Sequence, residues 1–152
     1  MPTFANPVAE IVKKMRLDSD LTARVAISRI HVGYPKIVGG QPTGVDKPGI
    51  YVHRASGEMK FVYGPSSLND APKYGSASYQ VDVFSNIGVS DADEMAALAQ
   101  IAVGESVPNG GLYSIHFIDS ISTYDEGFDC YHSIFIISVR LKRRDAGVVL
   151  LG

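Results

Sequence analysis

Apolar and polar positions alternate most cleanly over residues 79–84. Tyr79, Val81 and Val83 fall on one side, and Gln80, Asp82 and Phe84 on the other. A period of two is that of a half-buried strand, and Phe84 keeps the second side partly apolar. The period changes directly afterwards. Met95, Leu98, Ala99 and Ala102 recur at helical spacing, which predicts a helix over 90–103. Ser90 is the expected N-cap, with Asp93 at the reciprocal capping-box position. Asp91, Asp93 and Glu94 sit near the helix start, where the dipole favours negative charge. The stripe is mostly small, so this helix can lie close against a sheet.

The same reading extends along the chain. Asn6 and Pro7 predict a helix start, followed by Val8, Ile11, Val12 and Met15 at helical spacing. Residues 17–21 break that pattern and open a second short helix, capped by Asp18 or Ser19, with Leu21 and Val25 turned inward. Residues 27–34 read as a strand. Residues 35–49 hold three Pro and four Gly and read as a long, exposed, flexible arm. Strands are expected at 50–55 and 59–64, and a second polar loop at 64–78. Residues 112–124 and 128–142 are two long strands joined through Asp125–Gly127 as a hairpin. On the last strand Tyr131, Phe135, Ile137, Val139 and Leu141 point one way, and His132, Ile134, Ile136 and Arg140 the other. Neither side is fully polar, so the reverse face is expected to meet a helix or another subunit. The order predicts an α+β fold: a mostly antiparallel sheet, an N-terminal helical segment and one central helix packed on it, and a long C-terminal hairpin.

Composition narrows the function classes. The 152 residues favour one domain, with 45% apolar and 20% charged residues, ordinary for a globular protein. A net charge of −2 gives no sequence-wide attraction for nucleic acid. No apolar run approaches a membrane span, and the first residues lack the basic-then-apolar order of a signal peptide. The single cysteine, Cys130, allows no internal disulfide and suits a reducing compartment.

Candidate chemistry is sparse. Cys130 and His132 project from one strand face, with His116 expected opposite and Asp125 and Asp129 near the turn. A metal site would need paired, closely spaced ligands, and a catalytic thiol an oriented base. The simpler reading is a half-buried thiol beside ordinary hairpin histidines. Arg140, Lys142, Arg143 and Arg144 form the one basic cluster. Without interleaved aromatics it reads as a solvated strand end or a contact for an acidic neighbour more readily than as a DNA site. Glycines at 37–44 lack P-loop spacing. The apolar end of the 142–152 tail fits two roles: folding back on its own sheet, or docking on a neighbour. Nothing in these patterns asks for a cofactor, a metal or an enzymatic mechanism.

Three stretches carry a resemblance: the N-terminal helix running into "DSDLTARVAISRIHVGYP", the strand-helix unit "SYQVDVFSNIGVSDADEMAALAQ", and the hairpin "STYDEGFDCYHSIFIISVRL". In order and spacing they resemble the tail-terminator, or tail-completion, proteins of tailed bacteriophages. The resemblance spans most of residues 8–141 and rests on no catalytic signature. It implies a virion structural protein, assembled in the host cytoplasm. Such a protein forms a ring, typically of six copies, on the head-proximal end of the tail tube. The ring ends tube growth and offers the surface for head-tail joining. The implied partners are further copies of this chain, the tail tube protein and a head-tail connector or stopper protein, with DNA passing through the lumen unbound. A stopper or adaptor is the nearest alternative, and a small ligand-binding or enzymatic domain a more distant one. Interface residues expected on this view are Tyr34, Ile37, Val38, Val45, Asp46, Leu68 and Asp70 on the loops, Tyr124, Asp125 and Glu126 at the hairpin, and Arg140, Lys142, Arg143 and Arg144 beyond it.

Overall fold

A computed structural model describes residues 7–34, 37–38, 41–42, 45–55, 60–62, 74–104, 112–126 and 129–142. Helix α1 (Pro7–Leu17) buries Ile11, Val12 and Met15 of the stripe read from spacing, together with Pro7, while Val8 is only partly buried. Helix α2 (Ser19–Thr22) starts at Asp18, whose carboxylate accepts the Leu21 N–H at 2.9 Å. That bond resolves the choice between Asp18 and Ser19, and Leu21 and Val25 are both fully buried. The expected strand at 27–34 divides: Ile27–Arg29 is a 3-10 turn, and only β1 (Ile30–Val32) is extended. Its position is fixed from outside, because the Arg16 guanidinium donates to the Ile30 carbonyl at 2.5 Å.

The sheet follows the order β1, β4 (Gly49–Arg54), β6 (Tyr74–Ser85), β8 (Cys130–Lys142), β7 (Leu112–Asp125), with β5 (Lys60–Val62) paired on the far part of β6. Among the described strand pairs only β1–β4 is parallel. The fold is thus α+β with a mostly antiparallel sheet, and α1, α2 and α3 (Val89–Gly104) pack on one face. Strand β6 is twelve residues long and begins at Tyr74, so 74–78, expected in a loop, belong to the ladder. Strand β8 supplies the reason, pairing with β6 continuously from Lys142 opposite Tyr74 to Tyr131 opposite Ser85. The hairpin closes on the pair Asp125–Cys130, which makes its connection 126–129 rather than 125–127.

Helix α3 begins at Val89, so Ser90 lies inside its first turn instead of ahead of it. Asp93 is also used otherwise than expected: it accepts hydrogen bonds from Ser122 on β7 and from Ser133 on β8. Asp91 and Glu94 receive the Arg24 guanidinium, and Ser85 Oγ donates to Asp91 at 2.6 Å. The start of α3 is therefore tied to the sheet and to the segment after α2 by polar contacts. Ala92, Ala96, Ala99 and Ala102 bring the rest of the helix down on the core.

Candidate functional site: the reverse face of the sheet

Strand alternation sends Ile50, Val52, Val81, Val83, Phe135 and Ile137 under the helices. The residues between them face away: Tyr51 and His53 on β4, Gln80, Asp82 and Phe84 on β6, and Cys130 and His132 on β8. No helix covers this side among the described residues. Even so, Asp82, Phe84, Cys130 and His132 are buried. Tyr51, Phe84 and Cys130 form a second small core, and Val45 packs onto it from the segment before β4. Rings continue across the strands. His31 stacks on Tyr51 at 4.7 Å, Tyr51 meets Phe84 edge-on at 5.6 Å, and Phe84 stacks on His132 at 4.2 Å.

At the centre lies Asp82, with no exposed surface. Its Oδ1 accepts from His132 Nε2 at 2.7 Å and from Gln80 Nε2 at 3.0 Å, and its Oδ2 from His53 Nε2 at 2.5 Å. Burial alone would push the carboxyl up. The bonds from His132, His53 and Gln80 outweigh it and hold Asp82 below the ordinary carboxylate range. The hydrogen bond to Asp82 is also the main reason that His53 is raised. His53 Nδ1 faces the Arg54 carbonyl at 3.1 Å. A carbonyl and an ionised carboxylate both only accept, so both contacts favour the protonated ring, in line with the raised His53. Tyr34 closes over it edge-on at 4.8 Å.

A second histidine–carboxylate pair sits beside the first. His31 Nε2 is 2.5 Å from Asp46 Oδ2, and the Asp46 N–H donates to the Tyr51 hydroxyl at 3.0 Å. Lys47 donates to the Asp129 carbonyl at 3.2 Å. The 35–49 stretch is therefore not simply a flexible arm. Ile37–Val38 and Gln41–Pro42 form a two-stranded ladder (β2 and β3), and 45–48 are bonded onto the reverse face.

These contacts reassign the sequence candidates. Cys130 and His132 do share a face, but His132 is directed to Asp82. His116 pairs with Ser138, six positions along β8 from His132, so it does not join them. Among the described residues no group of three His, Cys, Asp or Glu side chains is placed to hold a metal ion. Of the expected interface residues, Val45 and Asp46 are engaged within the chain, and Tyr34 rests on His53. Tyr124 packs edge-on against Tyr131 and donates to Asp129, which pushes its hydroxyl up to about 12. Glu126 is exposed in the hairpin connection, next to Asp125. Ile37 and Val38 lie on the small ladder, and Arg140 and Lys142 near the end of β8. Leu68, Asp70, Arg143 and Arg144, like Asn6, fall outside the described residues.

One surface escaped sequence reading. Leu17 and Ile87 are each 76% exposed, Ile27 is 55% exposed, and Val89 joins them. Ile27 precedes β1 and Ile87 follows β6. The pairings Ile30–Ile50 and Gly49–Phe84 put both at one end of the sheet. Arg16 holds the end of α1, and with it Leu17, beside Ile30. The available signal was that Leu17 and Ile87 fit no apolar stripe.

No protein-family model matches this chain, and no curated protein matches it either. Solved structures do match. One is a chain of a structure described as "Virion of native gene transfer agent (GTA) particle", with a TM-score of 0.63 and 17% sequence identity. The match covers 91% of this chain and 95% of that one. At that identity the likeness is one of fold.

Proposed function

We propose that this chain is a virion structural protein of a phage-like particle, a single domain with no enzymatic activity. The observation that carries this reading is the fold match to a chain of a gene transfer agent virion over nearly the full length of both. Its finer form is a tail terminator. Six copies close a ring on the head-proximal end of the tail tube, stop its growth and present the surface for the head connector. A closed ring needs two different patches on each copy that fit one another. Large exposed apolar residues support such contacts. Ile101 lies exposed on α3 and Ile121 on β7, and the sheet end adds Leu17, Ile27 and Ile87. The polar residues on the reverse face are spent on one another, which fits a scaffold better than a reaction centre.

The test is the mass of the protein in solution by light scattering across a concentration series, with electron microscopy of the protein mixed with tail tubes. The expected result is a ring with an open lumen, free or only on one end of the tubes. A protein that stays monomeric and never decorates tube ends overturns the terminator reading. Decoration of isolated head connectors, but not of tubes, replaces it with a stopper or adaptor role.

A further inference from the structure

We propose that residues 45–48 are a strap that opens as a unit, apart from global unfolding, and that its release uncovers the aromatic face containing Cys130. Among the described residues the strap is held by a few polar contacts and one apolar contact. Asp46 is bonded to His31 at 2.5 Å and to the Tyr51 hydroxyl at 3.0 Å, and Lys47 reaches the Asp129 carbonyl at 3.2 Å. His31 and Asp46 are each about one-third exposed, so water competes for their bond. Among the described residues Val45 is the apolar anchor, packed against the cluster of Tyr51, Phe84 and Cys130. The floor beneath is firm: Tyr51 and Phe84 sit on central strands, and Phe84 stacks on His132. Weakly held cover over a rigid floor is the arrangement in which local opening costs less than unfolding.

Gly49 sets the strap's return to the sheet. A Cβ there would stand 2.4 Å from the Asp46 carbonyl oxygen, so the chain can turn this tightly only with glycine. Opening frees residues 45–48 up to the turn at Gly49. It also turns a face occupied by the chain's own residues into one available from outside.

Cys130, the single cysteine and 1% exposed, is a built-in reporter. Its thiolate attacks the disulfide of 5,5′-dithiobis(2-nitrobenzoate), forming a mixed disulfide and releasing one thionitrobenzoate, which is read by absorbance. The rate is measured on the intact protein in native buffer and at sub-denaturing urea, beside global stability from a full urea melt. The expected wild-type rate is nearly independent of urea below the transition, as for a small local opening. In Asp46→Asn it rises at least tenfold, with the far-UV spectrum unchanged. Val45→Ala, which removes only the apolar anchor, shifts it the same way. A wild-type rate that climbs with urea along the full slope of global unfolding overturns the proposal. So do variant rates that change only by the factor their global stability predicts. Should Asp46→Asn fail to fold, the wild-type urea dependence and Val45→Ala decide.

Discussion

The two faces of the sheet solve burial in opposite ways. Under the helices the core is apolar: Ile11, Met15, Leu21, Val81, Val83, Met95, Phe135 and Ile137 fit together without a buried charge among them. On the reverse face a buried carboxylate, Asp82, is bonded to the buried His132 and the half-buried His53 beside aromatic rings, and residues 45–48 pack next to them on the Tyr51, Phe84 and Cys130 cluster. The first face draws its stability mainly from apolar area removed from water. The second depends on each polar group keeping its partner, because a buried charge left alone costs far more than the pair contributes. The helix face makes the fold stable. The reverse face adds a polar tie across three strands, since Asp82 on β6 is bonded from both β4 and β8.

The sharpest way to break the comparison is one large truncation on the helix side. Phe135→Ala is expected to cost about 3–5 kcal/mol, read from urea melts, with a pH profile parallel to wild type. Asp82→Asn comes next, at about 2–3 kcal/mol near neutrality, from weakened bonds to His53, His132 and Gln80. Its distinguishing mark is the profile. Asp82 has a lowered folded pKa, so its stabilisation is present above the ordinary carboxylate value of about 3.9 and fades as pH falls through the folded value. His53 has a raised folded pKa. Its contribution is complete below the ordinary histidine value of about 6.5 and fades as pH climbs through the folded value. Wild-type stability should therefore sag on both sides, and Asp82→Asn should flatten the alkaline sag from pH 6.5 upward. If Phe135→Ala altered the profile and Asp82→Asn did not, the contrast between the faces would collapse.

Smaller effects sharpen the picture away from both cores. Asp18→Ala removes the cap of α2 and is expected to cost about 1 kcal/mol with no change in either pH slope. Smallest in stability is the hairpin end. A spectrophotometric titration should show Tyr124 ionising near pH 12, as the tyrosine whose ionisation Asp129→Asn alters by returning it toward the ordinary range. Persistence of the late tyrosine in that variant would show that the Tyr124–Asp129 bond is not the cause.

How much was legible follows from which interactions are local. The stripe Ile11, Val12, Met15 and the alternation Tyr79, Val81, Val83 are short-period patterns, and they carried both the element types and the inward side. Asp18 as a cap is likewise a three-residue relation. Where neighbours in space decided, sequence reading went astray. Residues 74–78 have weak strand character and are extended because β8 offers them a ladder. Ser90 was a plausible cap, yet α3 starts one residue earlier, beside Ser85 and Arg24. The pairing of Cys130 and His132 with His116 failed because register, which no residue type announces, put Ser138 opposite His116 and Thr123 opposite His132.

The sequence by itself determined the class of fold, the order of its main elements, the inward face of α1, β6 and α3 and the central place of the 79–103 strand-helix unit, because periodicity of burial is written residue by residue. Only the tertiary structure decided what Asp82 is. Its histidines lie 29 and 50 residues away. Pairing free energies of buried charges depend on distances of a few ångströms that sequence separation does not encode. The same holds for the strap: Asp46 reads as an exposed loop acid until β1 and β4 bring His31 and Tyr51 beneath it.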